Sequence, residues 1–102
     1  MSARYESILD EIAGVSLWVD FTTDRGTMVN YTVVLFLATA AGAETIRVYD
    51  AAHGYNEMHR YTQSGGRQTG TAFHSGSLGE GMRAAIEETE RGYLKMIEGW
   101  RK

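Results

Sequence analysis

The sequence predicts an α+β fold: a four-stranded antiparallel β-meander, with a short amino-terminal helix and a long carboxyl-terminal amphipathic helix packed on one face. Three observations predict it. From Val15 to about Thr62, apolar residues alternate with polar ones at a period of two, as on a half-buried strand. After Ser77 the period becomes 3.6 and holds to Trp100. Between them lies a glycine- and polar-rich stretch with no period at all. At 102 residues the chain can bury one core and not two. The expected organisation of residues 1–102 is a single domain, with helix over 3–13, antiparallel sheet over 15–62, loop over 63–76 and helix over 77–101.

In the first element, Tyr5, Ile8, Leu9 and Ile12 fall at i, i+3, i+4 and i+7, the stripe of a short helix ended by Gly14. Val15, Leu17, Val19 and Phe21 then alternate with Ser16, Trp18, Asp20 and Thr22, and "TDRG" turns the chain. The second strand puts Val29, Tyr31, Val33, Leu35 and Leu37 on one face, while Val34 and Phe36 make its other face partly apolar, as for a central strand. After "TAAGAE", the strand "TIRVYD" directs Ile46 and Val48 inward and Arg47 and Tyr49 outward. "AAHGYN" is a third turn, and Glu57 to Thr62 is an edge strand. In the terminal helix Leu78, Met82, Ala85, Ile86, Thr89, Tyr93, Met96, Ile97 and Trp100 share a face, and "SLGE" fits a capping box with Ser77 as cap and Glu80 reaching back. Gly92 and Gly99 each cost roughly 1 kcal/mol relative to alanine inside a helix. Either another backbone approaches there or the two are tolerated. The helix leaves one sheet face uncovered, and on these registers Trp18, Thr32, Phe36 and Tyr49 lie on it.

Composition narrows the function classes. Hydrophobic residues make up 43% and charged residues 23%, the balance of a folded soluble protein. A formal charge of −3 disfavours bulk nucleic-acid affinity. With no cysteine there is no disulfide, thiolate metal site or thiol nucleophile. The amino-terminal segment carries acids among its apolar residues, unlike a signal peptide, and the longest apolar run, Val33 to Ala38, is too short to span a bilayer. The expectation is a cytoplasmic protein without a membrane partner.

The chemically richest stretch is "RVYDAAHGYNEMHRY", Arg47 to Tyr61. Asp50, His53, Glu57, His59 and His74 are metal-ligand types, but His53 and His59 lie six apart across a turn, without the i, i+4 pair of a helical zinc site. Hydrogen-bonded turn and surface histidines explain them more simply, so neither metal nor cofactor is expected. As acid–base groups, His53 and His59, with His74 as a third and Arg47 to stabilise a phosphorane, have the residue types of a metal-independent ribonuclease. "SGGRQTG" lacks the lysine and following helix of a phosphate loop, and Ser77 is explained as a cap.

The arginine-tyrosine-aspartate, histidine-glycine-tyrosine and histidine-arginine-tyrosine elements of this hairpin, followed by an acidic amphipathic helix, resemble a set of small bacterial and phage proteins. Some of these are similar to TumE-like components of toxin–antitoxin modules. The resemblance covers about the second half of the chain and marks Arg47, Tyr49, Asp50, His53, Gly54, Tyr55, His59 and Tyr61. It departs where Val48 separates Arg47 from Tyr49, and where Asn56 and Glu57 stand in place of a further histidine. It implies a mobile-element setting more than a reaction. The leading expectation is therefore a noncatalytic protein-interaction module, an anti-CRISPR-like inhibitor in format, acting on a host or defence-system protein. Partner-binding residues would be Tyr49, Asp50, Tyr55, Glu57, Arg60, Glu87 and Glu88, and a homodimer interface would use Trp18, Phe36, Gly92 and Gly99. The alternative is the histidine ribonuclease, with RNA as its partner.

Overall fold

Residues 1–102 are described by a computed structural model. Period-two alternation produces strands as expected, and more of them. These are β1 (Ser2–Asp10), β2 (Val15–Asp24), β3 (Thr27–Thr39), β4 (Gly42–Asp50), β5 (Asn56–Thr62), β6 (Gly66–Arg67) and β7 (Thr71–His74), followed by α1 (Leu78–Arg101). The seven strands form one antiparallel sheet in the order β1-β2-β3-β4-β5-β6, with β7 also paired to β5. α1 lies across β3, β4 and β5 on one face. The α+β class and the packed terminal helix agree with the sequence reading; the strand number and the amino-terminal helix do not.

The segment expected to be a helix over 3–13 is β1, paired to β2 with Tyr5 opposite Val19 and Ser7 opposite Leu17. Its apolar spacing fits a helix, but such a helix needs an apolar surface to bury Ile8 and Ile12. Here Ile12 is fully exposed at 102% and Ile8 is 66% exposed. Pairing with β2 satisfies the backbone donors and acceptors of the segment directly. The Met1 ammonium donates to the Thr23 carbonyl at 2.6 Å, and Ala13 N–H donates to Asp10 Oδ1 at 2.9 Å in the turn that follows. The β2–β3 turn has Arg25 and Gly26 at φ 52° and 80° between paired Asp24 and Thr27, the two-residue hairpin whose twist matches that of the strands.

A second correction concerns β4. Leu35 pairs with Arg47 and Phe36 with Thr45, so Ile46 is an extra residue in a bulge. Ile46 stays buried, and every residue beyond it changes face. Tyr49, expected outward, is fully buried under α1, while Val48 points to the other side. The core between sheet and helix holds Val15, Leu17 and Val19 from β2, Tyr31, Val33, Leu35 and Leu37 from β3, and Ala85, Met96, Ile97 and Trp100 from α1.

The expected loop over 63–76 contains β6 and β7 and folds back along β5, with Tyr61 opposite Arg67 and Glu57 opposite Ala72. β5 is thus an interior strand, not an edge. α1 starts where its capping box predicts: Ser77 Oγ accepts from Glu80 N–H at 3.2 Å, and Ser77 N–H donates to Glu80 Oε1 at 3.2 Å. This hydrogen bonding holds the Glu80 carboxyl below the usual carboxylate range.

Candidate functional site

Register places the chemistry-bearing residues of the 47–61 hairpin on two faces. Arg47, Tyr49, Met58 and Arg60 take the helix side, because Arg47 pairs with Arg60 and Tyr49 with Met58. Val48, Asp50, Glu57 and His59 take the outer side, as Val48 pairs with His59 and Asp50 with Glu57.

On the outer side Glu57 is the hub. Its Oε1 lies 2.8 Å from His53 Nδ1 and 3.3 Å from His59 Nε2, and its Oε2 accepts from Tyr55 Oη at 2.8 Å. The two histidines that lie six apart in sequence therefore converge on one carboxylate oxygen. The Tyr55 hydroxyl, then His53, hold the Glu57 carboxyl below its ordinary range, and the same bond raises the Tyr55 phenol. Glu57 and His59 are buried; His53 is exposed, with its ring stacked beside that of Tyr55. The 63–76 segment closes over them. Gly70 approaches so closely that a Cβ there would overlap Glu57 Oε2 and stand 2.6 Å from His59 Cε1. Gln68 and Arg67 reach the His59 ring from the same segment, through the Gln68 carbonyl at Nδ1 and Arg67 Nη2 at Nε2.

His74 does not join this group. It pairs with Asn56 across β7 and β5, near the start of α1, where its Nε2 is buried without a hydrogen-bond partner. Arg47 is also on the other face, where its Nη1 donates to Tyr49 Oη at 3.3 Å and Tyr49 Oη donates to Glu88 at 2.5 Å. Burial first, then the bond to Glu88, raises the Tyr49 phenol far above its ordinary value. The four residues expected for a ribonuclease are thus split: His53 and His59 together, Arg47 and His74 elsewhere.

The expected partner-binding residues divide in the same way. Arg60, Glu87 and Glu88 line a groove of about 1000 Å³ between α1 and β5, together with Arg47, Arg91, Gly92 and Gly99. Asp50, Tyr55 and Glu57 belong to the outer cluster, and Tyr49 and Glu57 are too buried to meet a partner. No backbone approaches the two glycines: Gly92 meets only Met96 Cε at 3.4 Å, and Gly99 has nothing within 4 Å. Trp18 and Phe36 are half-buried on the outer face and line a shallow depression of about 360 Å³ with Glu6, Ser16 and Ala43.

Sequence reasoning missed the role of Asn56. Its Oδ1 accepts from buried Tyr31 Oη at 2.7 Å, and its Nδ2 lies within bonding distance of the carbonyls of His74, Gly76 and Ser77, at 3.3, 3.0 and 3.2 Å. It ties β5 to the start of α1. Arg67, Gln68 and Gly70 were likewise hidden in a stretch without periodicity. Comparison with protein-family models, with curated proteins and with solved structures finds no match.

Proposed function

We propose that the protein is a small noncatalytic protein-interaction module that pairs with a second copy of itself through the outer face of its sheet. The observation that carries this reading is the apolar patch there. Ser16 has Ile8 and Phe36 as its cross-strand neighbours, Trp18 pairs with Val34, and Val34 pairs with Val48. This side of the sheet thus gathers these residues without a covering helix, Ile8 exposed, Trp18, Phe36 and Val48 half-buried and Val34 buried among them. Burying such a patch yields roughly 25 cal/mol per Å² of apolar surface, and aromatic residues concentrate where partners meet. The resemblance of the 47–61 hairpin to phage and toxin–antitoxin proteins supports a mobile-element setting. There the bound target is a host or defence-system protein, as for an anti-CRISPR-like inhibitor.

Light scattering tests the pairing. The expected result is a dimer at micromolar concentration that Trp18→Glu converts to a folded monomer by circular dichroism. A wild-type protein that stays monomeric across that range overturns the reading.

One observation favours the ribonuclease alternative, the convergence of His53 and His59 on Glu57 Oε1. Its chemistry fits poorly. The cross-strand carboxylates Asp50 and Glu57 would repel the phosphorane they face, and Arg47 is on the opposite side of the sheet. RNA cleavage by the wild type that His53→Ala abolishes would restore that alternative.

A further inference from the structure

Asp50 and Glu57 stand directly opposite each other on β4 and β5, a placement in which like charges repel. Glu57 and His59 are also 95% and 94% buried, from exposures of 5% and 6%, while Asp50 is half-buried, so water screens the pair from one side only. A cation is the natural companion of such a pair. One ligand atom from each of Asp50, Glu57 and His59 lies within 4.8 Å of the other two.

Both ring nitrogens of His59 are engaged by the 63–76 segment. His59 Nδ1 lies 3.1 Å from the Gln68 carbonyl oxygen and 3.3 Å from Arg67 Nε; with Arg67 displaced, the carbonyl, which can only accept, favours the proton on Nδ1 and leaves a lone pair on Nε2. His59 Nε2 faces Glu57 Oε1 at 3.3 Å. Donors bound tetrahedrally at about 2.0–2.1 Å from zinc are separated from one another by about 3.3 Å. The pair is therefore already spaced to share an ion. A guanidinium now serves as the cation: Arg67 Nη2 is 2.9 Å from Nε2, and Arg67 belongs to the exposed two-residue strand β6. His53, 64% exposed and held at Nδ1 only by Glu57, is free to turn a nitrogen toward the same point.

We propose that Asp50, Glu57 and His59 form a site for one divalent transition-metal ion, with His53 as fourth donor and the Arg67 guanidinium as the cation that the metal displaces. Two carboxylates with imidazole suit zinc or manganese; an all-oxygen shell would be needed to favour calcium or magnesium. The cross-strand register of Asp50 and Glu57, and the i, i+2 placement of Glu57 and His59, supply the convergence that helical spacing rules do not look for.

Untagged protein, stripped with a chelator, is titrated calorimetrically with Zn²⁺ and separately with Mn²⁺, and Co²⁺ absorption reads the ligand geometry. The expected result is one equivalent bound with a rise in thermal midpoint. Asp50→Asn should lower affinity at least about tenfold. Arg67→Ala should raise it, because a competing cation is gone; a merely structural role for the arginine would not produce that gain. His53→Gln alters an exposed residue and provides a second arm should Asp50→Asn fail to fold, with a severalfold loss expected. The proposal is overturned if folded wild type and Arg67→Ala both show no saturable one-to-one binding. It is equally overturned if affinity is unchanged in Asp50→Asn, or in His53→Gln where that variant replaces it.

Discussion

Gly81 and Gly99 occupy one helix and meet opposite surroundings. A Cβ at Gly81 would overlap Asn56 Oδ1, and that amide cannot retreat because Tyr31 and three backbone carbonyls hold it. A Cβ at Gly99 would enter open space. Alanine lowers the helical cost of glycine by about 0.8–1.0 kcal/mol at an ordinary interior position. Gly99→Ala should therefore stabilise the protein by about 0.5–1 kcal/mol, whereas Gly81→Ala should destabilise it by about 1–3 kcal/mol through overpacking. Urea denaturation midpoints of the two variants read the difference; equal shifts would mean that Asn56 does not pack there. The 3.6-residue rhythm draws attention to Gly92 and Gly99, since they interrupt a visible stripe. Gly81 cannot be singled out that way, because its reason is an asparagine on a distant strand.

At the scale of elements, alternation was legible wherever a strand stayed regular and failed where one residue was inserted. The Ile46 bulge leaves Ile46 inward and turns Tyr49 from the outer face to the core, so the residue types of β4 alone assign the wrong side to half of it. The capping box of α1 was fully legible, being local in sequence. The 63–76 connection was not, because its hold on β5 is made by Gly70, Gln68 and Arg67 against Glu57 and His59, none of which carries a period. The hydrogen bonds that Glu57 accepts within its own hairpin predict a pH dependence. The Glu57 carboxyl titrates below its ordinary 4.5 in the folded protein, chiefly because of Tyr55 and then His53. Between that depressed value and about pH 4.5 the unfolded chain binds a proton that the folded chain does not, so stability rises with pH there. The contribution is complete above the unfolded value and is lost as pH falls through the folded one. Glu57→Gln should make stability less steep in pH below about 4.5, as read by denaturation at stepped pH. An unaltered slope would show that other carboxylates, such as Glu80, govern the acid limb.

Across the whole molecule one helix closes a core drawn from four strands, β2 to β5, and its far end is the place where that closure is concentrated. Trp100 is 5% exposed although it stands next to the last helical residue, and its carbonyl accepts from Gln63 N–H at 2.8 Å, joining the helix end to the start of the 63–76 connection. The ring belongs to the same core cluster as Met96, Ile97 and Met58. Fraying normally weakens a helix terminus, so an aromatic anchor there opposes local opening of both α1 and the segment that covers Glu57. Trp100→Ala should cost about 3–5 kcal/mol. Against the roughly 5–15 kcal/mol that holds a domain folded, that is a large share, and the loss should appear in a single cooperative transition. Hydrogen exchange separates the mechanism from a general loss of stability. Protection should fall most at the Gln63 amide and in the last turns of α1, while the β2–β3 hairpin is lost only with global unfolding. A loss below about 1 kcal/mol, the size of an ordinary surface substitution, would mean that the helix end is not part of the core and that the sheet is closed without it.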